Sequence, residues 1–167
     1  MHRLRTATLA LALGLASVAA LTFTPTASAR PSGAYRVADE KRTLVLINEI
    51  RRQHRLAPLV FSRRLRDAAR EHSTDMLAKQ YFEHDSPGES FDLRIRYHLS
   101  APLVGENIGW GTGKYATPEG MVNLWMHSAP HRRVLLMPRL RRIGLGIATG
   151  RFEGTDNAAI VTADFAS

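Results

Sequence analysis

The spacing of apolar and polar positions predicts two amphipathic helices in the first half of the chain. From Asp39 onward, positions at helical spacing form an apolar face that consists of Thr43, Leu44, Ile47 and Ile50. Ala57-Pro58 ends this helix, because the residue before a proline avoids helical geometry. Ser62 is a favourable N-cap for a second helix. The inward face of that helix is predicted to contain Leu65, Ala68, Ala69, His72, Met76 and Leu77.

Shorter elements follow, and the pattern predicts a strand hairpin at the end of the chain. We expect a short helix over Phe91–Leu99, a strand over Glu106–Trp110 and a helix that begins at Thr117-Pro118. Two apolar segments, residues 143–148 and 158–165, flank a turn with two glycines and an asparagine, which indicates an antiparallel hairpin. Helices that come first and strands that come last indicate an α+β fold, with the helices packed on a small antiparallel sheet.

The first 29 residues have the pattern of a secretory signal peptide. Arg3 and Arg5 precede an uncharged segment, Ala7–Leu21, and Ala27-Ser28-Ala29 matches the small-residue pattern that signal peptidase cleaves. We therefore expect cleavage after Ala29 and secretion of the protein. A retained membrane anchor is the alternative. The apolar segment of about 15 residues is short against the ~20 that span a bilayer, and no later segment is predicted to span one.

Beyond residue 29, composition and charge indicate a basic, cysteine-free domain. We expect a linker over residues 30–40 and a single domain over residues 41–167. The chain has 23 Lys+Arg, 15 Asp+Glu and no Cys, which excludes thiol nucleophiles, disulfides and cysteine-ligated zinc. Basic residues cluster in Arg51–Arg70 and Arg132–Arg142 without interleaved aromatic residues, so we expect no specific nucleic-acid partner. We interpret both clusters as solvated helix faces that attract an anionic cell envelope.

We interpret four short segments as having a role beyond packing. They are Tyr81–Pro87, Gly105–Ile108, Trp125–Arg132 and Ile143–Gly146. At these residues the sequence resembles the CAP superfamily of cysteine-rich secretory, antigen and pathogenesis-related proteins, and most of all its bacterial SCP-like branch. That branch has F-x-H, G-E-N-I, W-x-x-S-x-x-H-R and G-x-G in this order. The resemblance covers residues 41–165 and implies an α-β-α sandwich with a cleft lined by histidine and glutamate.

The resemblance also implies which residues line the cleft. His84 matches its first histidine, Glu106 the glutamate of G-E-N, and His131 the histidine of the bacterial W-x-x-S-x-x-H motif. Asn107 and Ser128 are expected as polar neighbours in the same cleft. Many eukaryotic relatives have a second glutamate where this chain has Ser128, and they also contain disulfides. Their four-residue cleft is therefore not transferred to this chain.

Two imidazoles and one carboxylate are suited to two kinds of chemistry. His84, Glu106 and His131 are the ligand types of an open zinc site with a free position for water or substrate. Without a metal, the same side chains form a general acid/base pair with an orienting carboxylate. The three residues are therefore candidates both for catalysis and for binding a divalent metal such as zinc, and neither role is assigned.

Other histidines and serines are interpreted as structural. His72 lies on the inward face of the second helix, where we expect a packed histidine with a hydrogen-bond partner. His127 and His131 are four residues apart, but a proline between them interrupts the helix, so we expect no metal shared by this pair. Ser86 and Ser128 are not in a G-x-S-x-G motif, and a serine hydrolase is therefore disfavoured.

Three further expectations concern packing around the cleft. Asn107 is expected to hold the backbone of the Glu106 segment by hydrogen bonds. Trp125 is expected in the core, where its indole N–H needs an acceptor. Gly144 and Gly146 leave one face of their strand without side chains, so that a ligand or another backbone can approach closely.

Three functions are compatible with these residues. The leading hypothesis is a secreted, monomeric protein that binds a lipid or another cell-envelope component in the cleft of His84, Glu106 and His131. The first alternative is a metal-dependent hydrolase of envelope peptide or polysaccharide that uses the same three residues. The second alternative is a basic adhesin, which binds anionic envelope polymers through its arginine clusters.

Overall fold

Helices and strands follow the predicted order within residues 36–167, which the computed structural model describes. The helices are α1 Val37–Gln53, α2 Arg63–Lys79, α3 Phe91–His98, α4 Pro118–His127 and α5 Ala129–Leu135. The strands are β1 Val60–Phe61, β2 Val104–Gly111, β3 Arg142–Phe152 and β4 Thr155–Ala166, and a 3-10 turn spans Gly113–Ala116. The predicted signal peptide, residues 1–29, lies outside the described residues. Helix α1 begins inside the segment predicted as a linker.

Hydroxyl side chains begin two of the helices, as the sequence predicts. Ser62 Oγ accepts a hydrogen bond from the Leu65 N–H at 3.4 Å, and Thr117 Oγ1 accepts one from the Gly120 N–H at 3.1 Å. Pro118 lies in the first turn of α4, where a missing N–H removes no helical hydrogen bond. The predicted starts of α2 and α4 are therefore confirmed.

The sheet has the strand order β1-β3-β4-β2, so that the last strand lies in its interior. Strand β4 pairs antiparallel with both β3 and β2, which confirms the predicted hairpin. The two-residue strand β1 pairs parallel with β3. The sheet predicted to be antiparallel is therefore mixed, because the connection between α1 and α2 runs alongside β3 in the same direction. Among residues 36–167, β2 has a neighbouring strand on one side only and forms an edge of the sheet.

Helices cover both faces of the sheet, as in an α-β-α sandwich. Successive strand residues point to opposite faces. On one face, Val161 packs in a core with Ile47 of α1 and Trp125 of α4. On the other face, Ile160 packs with Met76 of α2. None of the helices between residues 36 and 167 is long and apolar enough to cross a bilayer.

Helix α2 lies close to the sheet because two glycines of β3 face it. A Cβ on Gly144 would overlap backbone atoms of Leu65 and Arg66, and a Cβ on Gly146 would overlap the backbone of Ala69. The close approach predicted at this glycine pair is confirmed, and the element that approaches is α2. The six residues predicted for the inward face of α2 are all buried.

One arginine of the first basic cluster does not belong to a solvated helix face. Arg51 is 0% exposed, and its guanidinium donates hydrogen bonds to the carbonyl oxygens of Ala57, Leu135, Met137 and Leu140. These bonds connect the end of α1 to the segment that follows α5. The interpretation of Arg51 as solvated is therefore wrong, because carbonyl groups distant in sequence replace its water.

We expect the substitution Gly144→Ala to lower the free energy of unfolding by about 1–3 kcal/mol or more, since α2 must move away from β3 to admit the new methyl group. Urea denaturation followed by circular dichroism measures this loss. The matched control is Gly105→Ala, whose methyl group would lie 3.3 Å from a side-chain methyl of Val134 that has room to adjust. Equal urea midpoints for the two variants would show that the close approach of α2 to Gly144 does not determine stability.

Candidate functional site

The connection between α2 and α3 brings His84 to the edge formed by β2. Asp85 Oδ1 accepts a hydrogen bond from the Phe91 N–H at 2.9 Å, which ties the connection to the start of α3. The Glu89 N–H donates to the Ser86 carbonyl oxygen at 3.0 Å and closes a tight turn. Local hydrogen bonds therefore hold the segment that contains His84.

His84 and Glu106 form the central hydrogen bond of the site. His84 Nδ1 lies 2.7 Å from Glu106 Oε1, and because a carboxylate can only accept, the Nδ1–H donates. The His84 side chain is 49% exposed, whereas that of Glu106 is 1% exposed. The hydrogen bond to Glu106 raises the pKa of His84 above its ordinary value, and burial opposes this only in part. His84 thus presents its other ring nitrogen to the surface from a buried support.

Behind this pair, Arg94 of α3 binds two buried carboxylates. Its guanidinium donates to Glu106 Oε2 and, at 3.3 Å, to Asp164 Oδ2. Glu106 and Asp164 are direct cross-strand partners in the β2–β4 pair. The register of the sheet therefore places two carboxyl groups against one guanidinium, and all three side chains are almost completely buried.

The two acids differ in protonation because one guanidinium cannot neutralise both of them. Complete burial and the charge of Glu106 raise the pKa of Asp164 well above its ordinary value. Burial also raises the pKa of Glu106, but hydrogen bonds from His84 and the charge of Arg94 outweigh it and lower the pKa overall. At a pH between the two pKa values, Glu106 is therefore the ionised member of the pair and Asp164 retains a proton.

His72 lies on the buried side of the site, with its Nε2 4.0 Å from Glu106 Oε2. Its Nε2 lies 3.0 Å from the Glu83 carbonyl oxygen and must donate, so its Nδ1 accepts the Ser86 hydroxyl at 3.2 Å. Burial, followed by the charge of Arg94, lowers the pKa of His72. The predicted packed histidine with a hydrogen-bond partner is confirmed, and the hydroxyl of Ser86 is one of its partners.

His131 approaches β2 from α5 and is held through its backbone. Asn107 Nδ2 donates to the His131 carbonyl oxygen at 3.1 Å. The expectation that Asn107 holds its own segment is therefore wrong, because its side chain reaches across to α5. His131 Nδ1 is buried and has no hydrogen-bond partner among the described residues. Burial, and then the charge of His84, lower the pKa of His131.

Two cavities meet at the histidine pair. The α4 cavity, of about 450 Å³, has mainly apolar walls that include Phe82, Ile108, Trp110 and Leu124. The α5 cavity, of about 500 Å³, has walls that include Phe91, Val104, Val134 and Met137. His84 and His131 line both cavities, Ser128 lines the first, and Glu106 and Asn107 line the second. Each of the five residues predicted for the cleft thus lines at least one of the two cavities.

Trp125 has the environment that the sequence predicts. It is 1% exposed and donates its indole N–H to the Ile108 carbonyl oxygen at 3.0 Å, which confirms the core position and the acceptor. On the same helix, His127 Nδ1 lies 2.8 Å from the Asn123 carbonyl oxygen, at the exposed surface.

The donor set does not fit the three-ligand zinc site that the sequence suggests. Both oxygens of Glu106 are already bonded, one to His84 and the other to Arg94. Within residues 36–167, no group of three or more His, Asp or Glu side chains is arranged to hold a metal ion. The hydrogen-bonded carboxylate instead orients the imidazole of His84.

Sequence reasoning missed Arg94 and Asp164. A signal for Asp164 was present, because it is the one charged residue in the mainly apolar segment Ala158–Phe165 and such a position needs a buried partner. Nothing comparable marks Arg94, which stands among other charged residues of a short helix. Its partners are 12 and 70 residues away in sequence.

In an NMR titration of the ring protons, we expect His84 to titrate above its ordinary pKa and His131 below its own, as their surroundings dictate. Glu106→Gln removes the ionised acceptor and should lower the pKa of His84. The control Glu71→Gln removes a carboxylate that binds His98 on the far side of α2 and should leave the pKa of His84 unchanged. Equal shifts in the two variants would contradict the pairing.

Asp164→Asn tests which acid holds the proton. A raised pKa in the folded state means that the contribution of Asp164 to wild-type stability falls as pH rises above about 4, where the unfolded carboxyl ionises. The variant has no such titration, so its stability relative to wild type should increase between pH 4 and pH 7. The exposed control Asp92→Asn should show little change in this interval, because the pKa of Asp92 is lowered and its contribution changes mainly below pH 4. Urea denaturation at pH 4 and at pH 7 measures the free energy of unfolding of each protein. A difference between Asp164→Asn and the wild type that does not change with pH would refute the assignment of the proton to Asp164.

Two proteins of Bacillus subtilis are similar to this chain in sequence. The uncharacterised protein YkwD of Bacillus subtilis is 40% identical over 111 residues, which cover 65% of this chain and 42% of YkwD. The uncharacterised membrane protein YlbC of the same organism is 34% identical over 110 residues, which cover 65% of this chain and 31% of YlbC. This chain therefore spans less than half the length of either relative.

Solved structures agree on the fold. An extracellular protein with an SCP domain from Bacillus anthracis superposes with a TM-score of 0.67 at 27% identity, over 78% of this chain and 40% of that one. An outer surface protein of Borrelia burgdorferi superposes with a TM-score of 0.69 at 23% identity, over 80% and 96% of the two chains. The family model of the cysteine-rich secretory proteins matches residues 44–165. The chain belongs to the cysteine-rich secretory protein family, CAP.

Proposed function

We propose that this protein is an extracellular ligand-binding protein whose cleft around His84, Glu106 and His131 holds a lipid or another cell-envelope component. One observation supports the proposal above the others: the histidine pair lies where two mainly apolar cavities meet. A ligand with a polar group at the histidines and apolar parts in the cavities would satisfy both kinds of surface.

The dimensions and the walls of the cleft suit such a ligand. Each cavity falls within the roughly 300–1,000 Å³ typical of small-molecule sites. Apolar side chains line most of the walls, and hydrocarbon transferred to them from water gains about 25 cal/mol per Å². The few polar groups are concentrated at His84, Ser128 and His131, where they would orient the ligand.

An extracellular location is part of the same proposal. It is supported by the signal-peptide pattern of residues 1–29 and by the extracellular protein of Bacillus anthracis, which has this fold. Removal of residues 1–29 would leave 21 Lys+Arg and 15 Asp+Glu, and this net charge of +6 would bring the protein to anionic surfaces, where envelope ligands are concentrated. The hydrolase alternative has less support, because the carboxylate it needs for metal binding or base catalysis is engaged by Arg94 and His84.

Tryptophan fluorescence offers a direct test, since Trp110 and Trp125 both line the α4 cavity. We expect a short-chain phosphatidylcholine with brominated acyl chains to quench this fluorescence on binding to the purified protein. Leu124→Glu places a charge on the cavity wall and should weaken binding about tenfold or more.

The matched control is Leu93→Glu, which introduces the same charge at an exposed leucine of α3 outside both cavities. It should bind as the wild type does. If none of the proteins is quenched, or if all three are quenched alike, the cleft is not the binding site and the proposal is wrong.

A further inference from the structure

The side chain of Asn107 is the most deeply buried polar group that borders the cleft, and one of its atoms is unsatisfied. Asn107 is 0% exposed. Its Nδ2 faces the His131 carbonyl oxygen at 3.1 Å, and because a carbonyl only accepts, this contact determines the orientation of the amide. The other amide atom, Oδ1, is therefore an acceptor, and it has no partner within residues 36–167.

Asn107 is one of the residues that line the α5 cavity, and His131 lines it as well. A buried acceptor without a donor lowers stability by roughly the desolvation cost of the group, and such groups are rare in folded proteins. A ligand with an N–H or O–H group in this cavity would supply the missing donor. The observation therefore constrains the chemistry of the ligand and not only its size.

His131 adds a second unsatisfied atom at the same place. Its Nδ1 is buried without a partner in the described part of the chain, and a neutral imidazole nitrogen accepts or donates according to its tautomer. Glu106 cannot serve a ligand in the same way, because Arg94 and His84 already bind its two oxygens. Besides Glu106, the polar side chains that line the α5 cavity are those of Asn107, His131, His84 and Asp85. Among them, Asn107 Oδ1 is the obligate acceptor that is buried without a partner in the described part of the chain.

An ionised carboxylate or a phosphate ester cannot satisfy Asn107 Oδ1, because such a group has acceptor oxygens only. An ester group has the same defect without the charge. An amide or a hydroxyl group has a donor and an acceptor on adjacent atoms and no charge to desolvate.

We propose that the α5 cavity recognises a neutral group that donates a hydrogen bond, an amide or a hydroxyl carried on an apolar chain, and that Asn107 Oδ1 is its acceptor. This inference rests on the proposed ligand-binding function and assigns the chemical class of the ligand. Asn107 is on this view the residue that determines specificity.

The test compares four probes of similar size by calorimetry: N-hexylacetamide, hexyl acetate, 1-octanol and octanoate. The first two differ only in an N–H in place of an oxygen, and the ester is the more hydrophobic of the pair. We expect wild-type protein to bind the amide about tenfold more tightly than the ester, although hydrophobicity alone predicts the reverse order. 1-Octanol shows whether a hydroxyl is accepted as well, and octanoate should bind more weakly than either donor.

Two variants test whether Asn107 causes the preference for the amide over the ester. Asn107→Ala should bring the ratio of amide to ester affinity close to one. Asn48→Ala also removes a structural amide, one that binds the Leu59 backbone at 2.8 and 3.0 Å away from the cavity, and should retain the wild-type ratio. If Asn107→Ala fails to fold, the ratio measured for the wild-type protein decides alone.

The outcomes separate this inference from the proposed function. If the ester or octanoate binds as tightly as the amide, or if the preference survives Asn107→Ala in a folded protein, the role of Asn107 is refuted while ligand binding stands. If no probe binds but the brominated phosphatidylcholine still quenches the tryptophan fluorescence, this inference is refuted while the proposed function stands. If neither the probes nor the phosphatidylcholine bind, both are wrong.

Discussion

One guanidinium, that of Arg94, serves two acids that the register of β2 and β4 buries side by side. Buried charges are tolerated only when they are paired, and the loss of one partner of such a pair costs about 3–5 kcal/mol. Here the arrangement is satisfied by one ion pair and one retained proton. Because Arg94 lies on α3, the same bonds hold this short helix against the sheet. Because Glu106 is the ionised acid, they also determine where His84 is held.

The cleft is therefore a consequence of a buried network that opens to solvent at one point. His84 comes from the α2–α3 connection, Asn107 and Glu106 from the edge strand β2, and His131 from α5. Asn107 connects the last two by a single hydrogen bond to the His131 backbone. The walls on both sides are mainly apolar, so the polar groups at the centre are few. Some of these groups have a hydrogen-bond partner, and others, such as Asn107 Oδ1, lack one within the described residues. Such a site is better suited to selecting a ligand than to coordinating a metal ion.

Local rules made much of this fold predictable. The inward face of α2, the caps at Ser62 and Thr117 and the β3–β4 hairpin follow from spacing and turn residues alone. The resemblance to the CAP superfamily gave the cleft residues, whereas no local pattern brings His84 and His131 together. Contacts between distant segments were not predictable: Arg51 binds carbonyl groups up to 89 residues away, and Arg94 finds Asp164 across 70 residues. An arginine in a charged segment looks the same in sequence whether water or backbone oxygens solvate it.

The interior position of β4 has a consequence for the order in which the chain completes its structure. Strand β2 pairs only with β4 among the described residues, and β4 leaves a ribosome or a translocation pore after β1, β2 and β3. Until β4 emerges, Glu106 and Arg94 have no Asp164 beside them, and the backbone of β2 lacks its partner strand. Non-local pairing of this kind is slow to form and leaves exposed strand edges open to aggregation. The order of the strands thus delays the formation of the cleft until β4 has been synthesised.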